Sequence, residues 1–130
     1  MTRHALGVLE RDADGFFLMI EGSQIDWAAH ANSVAGVISE MEDFIAAVRV
    51  ALDFAAARGD TLVIVTADHE TGGMTLGRDN VYRWDATPLR GLHRTPKAMA
   101  QDYVNGAEAL SAIVARQFAF ELDADEARRL

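Results

Sequence analysis

The sequence predicts an α/β fold, and three observations carry that expectation. Phe16-Phe17-Leu18-Met19-Ile20 is a short apolar run following turn residues, as expected of a strand covered on both faces. Thr61-Leu62-Val63-Ile64-Val65 is a second run of the same kind. Between them, Val34, Val37, Ile38, Met41, Phe44, Ile45, Val48 and Leu52 recur at steps of three and four, the period of a long helix. Strand, helix, strand in that order predicts a βαβ unit with parallel strands and a right-handed crossover.

Each element has its own justification. Residues 2–11 form a short helix, with Thr2 as its cap and Leu6 and Leu9 on one face. Asp12-Ala13-Asp14-Gly15 is turn chemistry before the first strand. The long helix is capped by Asn32 or Ser33 and stopped by Gly59 after Arg58. From 34 to 58 it would be about 37 Å long. Residues 72–94 read as loop, with an edge strand around Met74-Thr75-Leu76. Thr95-Pro96 is an N-cap with a first-turn proline, opening a helix to Asn105 that Gly106 stops. Another runs from Ala107 to about Gln117, with Leu110, Ile113, Val114 and Phe118 on one side. Asp123 and Glu126 have the spacing of a capping box, and the helix they open reaches Leu130 after barely two turns. That unfinished helix predicts that the chain stops in mid-domain. Residues 1–76 are expected to form one partial core, and 77–130 a loop and helical insertion truncated at the C-terminus.

Composition narrows the function classes. A chain of 130 residues can bury one modest core, and with half of it hydrophobic and a quarter charged it is neither disordered nor fibrous. The net charge of -8 disfavours nucleic acid, whose phosphates are bound by basic surface. There is no cysteine, so any metal site must use oxygen and nitrogen ligands. No stretch is long or apolar enough to span a bilayer, and residues 1–10 do not read as a signal peptide.

The chemistry sits at the ends of the two strands. Parallel strands bring their carboxyl ends to one edge of a sheet, where ligands of open α/β folds gather. Glu21 closes the first strand. A carboxylate there is either paired or metal-bound, or a strand-end residue facing water. Asp26 and His30 are four apart, which on a helix places both on one face, as a shared ligand pair or as a solvated pair. Asp68 and His69 follow the second strand, and adjacent ligands need a turn, which Gly72-Gly73 allow. Otherwise Asp68 caps that turn and His69 is structural.

Gly15-Phe16-Phe17-Leu18-Met19-Ile20-Glu21-Gly22-Ser23-Gln24-Ile25-Asp26-Trp27-Ala28-Ala29-His30-Ala31-Asn32, with Thr66-Ala67-Asp68-His69-Glu70-Thr71-Gly72-Gly73, resembles the alkaline phosphatase family. The likeness is firm over residues 1–76 and loose beyond, around Tyr82, Trp84 and Pro88. It implies a three-layer α/β/α core, of which this chain would hold a partial βαβ unit plus C-terminal helices. It implies hydrolysis of phosphate monoesters through a phosphoserine intermediate, with two zinc ions and one magnesium ion as cofactors. By resemblance Glu21 would ligate magnesium, Asp26 and His30 one zinc, and Asp68 and His69 the other. Two-metal chemistry then lowers the serine pKa, holds phosphoryl oxygens and activates water. Trp27 would be substrate-adjacent, at a position where other branches place His or Lys to help hold phosphate; the alternative is a packing aromatic. The resemblance also implies a periplasmic or secreted enzyme.

Several features of the family pattern have no counterpart. The Asp-Ser-Ala nucleophile motif, the early bridging aspartate, the hydroxyl residue of the magnesium site and the His-Thr segment with the last zinc ligand do not occur. His4 and His93 do not match that histidine, and Arg78, Arg83, Arg90 and Arg94 are in the wrong segment to grip phosphate. The chain therefore reads as an internal slice of a phosphatase, inactive alone. The strands need neighbours, and a homodimer is one way to supply them. Two other readings are a phosphodiesterase or sulfatase of the same superfamily and a non-catalytic metal- or partner-binding domain. Glu70-Thr71-Gly72-Gly73 favours the phosphatase branch.

Overall fold

The computed structural model describes residues 1–72, 80–81, 85–106, 108–118 and 122–129. The edge strand expected around Met74-Thr75-Leu76, and Tyr82 and Trp84, lie outside the described residues. Six α-helices are described: α1 (Thr2–Leu9), α2 (Ser23–His30), α3 (Val34–Arg58), α4 (Pro96–Val104), α5 (Leu110–Gln117) and α6 (Ala124–Arg128). A 3-10 turn spans Thr87–Leu89.

Helix α3 is the frame. Of the two expected caps Ser33 is the one used: its Oγ accepts from the Gly36 N–H at 3.2 Å, and it is 3% exposed. Gly59 closes the helix at φ 73°, a conformation glycine adopts without a Cβ penalty, and donates to the Ala55 carbonyl at 2.9 Å. Helix α1 lies on α3 and buries Leu6. Thr2 does not cap it. Thr2 is already in the helix, Met1 takes the N-cap position, and no side chain caps that end. Arg58 ties the far end of α3 to this layer, ion-paired to Glu10 at 3.4 Å and stacked 5.4 Å over the Phe54 ring.

The two apolar runs flank α3 in sequence. Burial alternates along the first: Phe16, Leu18 and Ile20 are half-buried, while Phe17 and Met19 are 90% and 69% exposed. It alternates in the second too, with Thr61 and Val63 half-buried against Leu62 and Ile64. Period two is the mark of extended chain. Phe16 meets Phe54 of α3 edge to face, centroids 6.0 Å apart. Two expectations are not met among the described residues. Only one face of each run is covered, and no strand ladder is formed. Parallel pairing needs a neighbouring strand about 4.8 Å away that shares backbone hydrogen bonds. An apolar run reports that both faces seek cover without reporting what supplies it.

The second half is helical as expected. Thr95 Oγ1 accepts from the Ala98 N–H at 3.2 Å, with Pro96 in the first turn of α4. Helix α5 starts at Leu110 rather than Ala107, which lies outside the described residues. It packs on α4, and the pair contributes the buried Met99 and Ile113. The capping box opening α6 is formed: Asp123 Oδ1 accepts from Asp125 and Glu126, and Glu126 Oε2 accepts from the Asp123 N–H.

What positions the strand-end chemistry is the seat of α2 on α3. A Cβ at Gly22 would lie 3.0 Å from the Phe44 ring, and one at Gly36 would lie 3.0 Å from the Ala28 Cβ and 2.9 Å from Ser33 Oγ. The link between the helices turns through Asn32 at φ 50°, a conformation asparagine tolerates. Gly36→Ala should therefore destabilise the protein. Alanine gains about 1 kcal/mol of helix preference, but overpacking costs about 1–3 kcal/mol. Urea unfolding decides the sign, and a variant more stable than the parent would show that α2 does not press on α3.

Candidate metal centre

Each predicted ligand pair comes together within itself. Asp26 in the first turn of α2 and His30 in its last place Oδ1 and Nε2 3.4 Å apart. After the second extended run, Asp68 Oδ2 and His69 Nε2 are also 3.4 Å apart. These separations exceed an ordinary N–H···O hydrogen bond, which ends near 3.2 Å. Zinc takes imidazole nitrogen and carboxylate oxygen at about 2.0–2.1 Å in a tetrahedron, whose edges are then about 3.3–3.4 Å. Both pairs thus have the spacing of two donors that share such an ion, and both offer Nε2. All four side chains are solvent-accessible, from 41% for Asp26 to 87% for Asp68.

The turn after Asp68 fixes the tautomer of His69. Its Nδ1 lies 2.9 Å from the Glu70 carbonyl oxygen, which can only accept, so Nδ1 carries the proton and Nε2 presents its lone pair. Metal-bound histidines are oriented in this way. The Glu70 side chain accepts from the Gly72 N–H, and Gly72 sits at φ 72°. No side-chain signal marks this role for Glu70, because it is played by a backbone carbonyl that any residue possesses. Local hydrogen bonds also hold the Asp68 carboxyl below its usual range. Its own backbone N–H is the largest cause, followed by the His69 N–H and the His69 charge.

The two pairs sense each other. The His69 pKa is raised, first by the Glu70 carbonyl, then by the Asp68 charge and, more weakly, by the Asp26 charge. Glu21 joins neither pair and makes no hydrogen bond or ion pair among the described residues. Among the described residues, no three His, Asp or Glu side chains converge on one point. Trp27 stands next to the first pair with 69% of its surface exposed. His4 and His93 are exposed, and Arg94 is held by both Asp102 carboxylate oxygens at 2.6 and 2.7 Å.

A family model described as alkaline phosphatase matches residues 1–128. The chain belongs to the alkaline phosphatase family. It is 51% identical over 108 residues to Alkaline phosphatase 3 of Bacillus subtilis, covering 83% of this chain and 23% of that protein. To Alkaline phosphatase 4 of the same organism it is 47% identical, over 82% of this chain and 23% of the relative. The solved structure of a cold-active alkaline phosphatase from the psychrophile Shewanella sp. superposes with a TM-score of 0.83 at 35% identity. That match covers 98% of this chain and 32% of the Shewanella chain. The chain therefore spans about a quarter of the length of these curated alkaline phosphatases, and the likeness extends beyond residue 76 into the C-terminal helices.

The mutual influence of the pairs is measurable. In metal-free protein, Asp26→Asn removes an anion that favours the His69 imidazolium, so the His69 midpoint should fall. NMR titration of the ring signals reads this directly. An unmoved midpoint would place α2 and the Asp68-His69 turn too far apart to form one centre.

Proposed function

We propose that these residues form part of the metal centre of an alkaline phosphatase hydrolysing phosphate monoesters. The observation that carries the reading is the twofold occurrence of a carboxylate and an imidazole Nε2 at a tetrahedral edge spacing. The family assignment and the influence of Asp26 on His69 support it.

In this reading Asp26 and His30 hold one zinc ion, Asp68 and His69 hold a second, and Glu21 holds magnesium. When bound, the ions supply Lewis acidity for phosphoryl oxygens and for the attacking and leaving oxygens. The chain's own residues do the positioning. The Glu70 carbonyl keeps the His69 proton on Nδ1 and leaves Nε2 free. The backbone N–H groups of Asp68 and His69 keep Asp68 anionic. Trp27 offers an uncharged, exposed indole beside the first pair, where it contacts substrate through its ring rather than by ion pairing. The nucleophilic serine of the phosphoserine route and the remaining ligands come from outside these residues, since the motifs that would carry them are absent from this sequence.

The two extended runs fit the same picture as parallel strands of a βαβ unit in a three-layer sheet, with α3 as the crossover. Their uncovered faces and unpaired backbones mark where the other strands and layer would lie. A periplasmic or secreted location follows from the family reading. No helix among the described residues is long and apolar enough to cross a membrane.

The test is a chimera. The 108 aligned residues of Bacillus subtilis Alkaline phosphatase 3 are replaced by their counterparts from this chain. The product should hydrolyse p-nitrophenyl phosphate and contain zinc by elemental analysis. Asp68→Ala or His30→Ala in it should lower kcat/KM at least about 100-fold, with loss of zinc. The 130-residue chain alone should show no turnover. Turnover by the chain alone that Asp68→Ala abolishes, or a chimera indifferent to both substitutions, would refute the assignment.

A further inference from the structure

The two ligand pairs are held by different means. Asp26 and His30 sit on α2, whose own hydrogen-bond ladder fixes the backbone beneath them. Asp68 and His69 sit on a turn without a ladder: among the described residues, no backbone–backbone hydrogen bond involves residues 68–72. Side chains close that turn instead. His69 Nδ1 donates to the Glu70 carbonyl at 2.9 Å, and the Gly72 N–H donates to the Glu70 carboxylate.

The second of these bonds controls the first. It runs from residue 70 to residue 72, so the ring it closes contains the peptide between Glu70 and Thr71. That peptide carries the carbonyl that meets His69. Peptides are planar, so the direction of this carbonyl depends on the ψ angle of Glu70. A ring closed through the Glu70 side chain and the Gly72 amide removes that freedom. Gly72 completes the ring at φ 72°, a conformation glycine adopts without a Cβ penalty. Glu70 itself is exposed and forms no ion pair among the described residues, so its carboxylate serves this bond. We propose that the Glu70 side chain is a positioning residue of the metal centre: by fixing its own peptide plane it aims the carbonyl that keeps the His69 proton on Nδ1 and leaves Nε2 to the ion. It acts as a hydrogen-bond acceptor rather than as a charge. The part of this that concerns the ion rests on the phosphatase reading; the orientation of His69 does not.

The test reads the ring directly. Nitrogen NMR of His69 in the metal-free chain, at alkaline pH where the ring is neutral, should show the proton on Nδ1. Glu70→Ala should move a share of it to Nε2, with unchanged circular dichroism. Glu70→Gln keeps the length and an oxygen acceptor without the charge, and should keep the parent tautomer. In the chimera described above, Glu70→Ala should weaken zinc binding about 10- to 100-fold, and Glu70→Gln should restore it. A tautomer that Glu70→Ala does not move overturns the proposal. So does Glu70→Gln behaving like Glu70→Ala, or a zinc-loaded chimera whose affinity Glu70→Ala leaves unchanged. A chimera that holds no zinc in any version counts against the phosphatase reading, and the His69 tautomer then decides the role of Glu70 alone.

Discussion

Two places without a side chain hold α2 against α3, and the candidate centre hangs from them. Helix α2 has eight residues and no side-chain cap at either end. An isolated helix of that length is not stable in water. Its order must come from contact with a longer partner, and α3 supplies one of twenty-five residues capped at both ends. Gly22 lets the chain leave the first extended run against the Phe44 ring, and Gly36 lets the first turn of α3 press on Ala28. Asp26 and His30 then inherit their direction from α3. Asp26 is also among the charges that favour the His69 imidazolium, from the other end of a long helix in sequence.

The ligand pairs contribute little to holding the fold together. Their side chains lie between 41% and 87% exposed, and exposed ion pairs add little to stability. What the geometry does achieve is chemical readiness. The Glu70 carbonyl removes a choice of tautomer from His69, and the N–H groups at Asp68 remove a choice of protonation state. A zinc ligand must be a neutral imidazole or an ionised carboxylate. Backbone groups alone keep Asp68 ionised; at His69 the Glu70 carbonyl sets which nitrogen of the neutral ring is free, while also favouring the imidazolium that a metal ion would have to deprotonate. This explains why the turn follows the second apolar run directly: the carbonyl and amides of a tight turn are the nearest rigid dipoles available.

Elements with local causes were legible in the sequence. The Ser33 cap, the Gly59 stop, the Thr95-Pro96 start and the Asp123–Glu126 box depend on residues within one helical turn, and all four are formed. The spacing of Asp26 and His30 placed them on one helix face for the same reason. What could not be read depends on longer range or on the backbone. Thr2 has the right chemistry for a cap, but the helix already includes it, and only Met1 remains to precede it. The close approach behind Gly36 depends on Ala28 of another helix. The orientation of His69 depends on a carbonyl that sequence does not distinguish.

The apolar runs carry the deeper lesson about continuous hydrophobicity. Phe17, Met19, Leu62 and Ile64 are apolar yet expose more than two-thirds of their surface. Their alternates are half-buried, and Phe16 among them meets Phe54 of α3. A strand written for cover on both faces keeps its pattern whether or not the second cover is among the residues at hand, because α3 alone is enough to define which side is which. In the proposed phosphatase the unsatisfied strand edges and the incomplete metal pairs are two aspects of one deficit. A neighbouring strand that supplied ladder hydrogen bonds would, at its carboxyl end, reach the rim where the missing ligands are needed. Metal binding and sheet completion would then be coupled, each favouring the other, as in other sites where ligands converge only in the folded state.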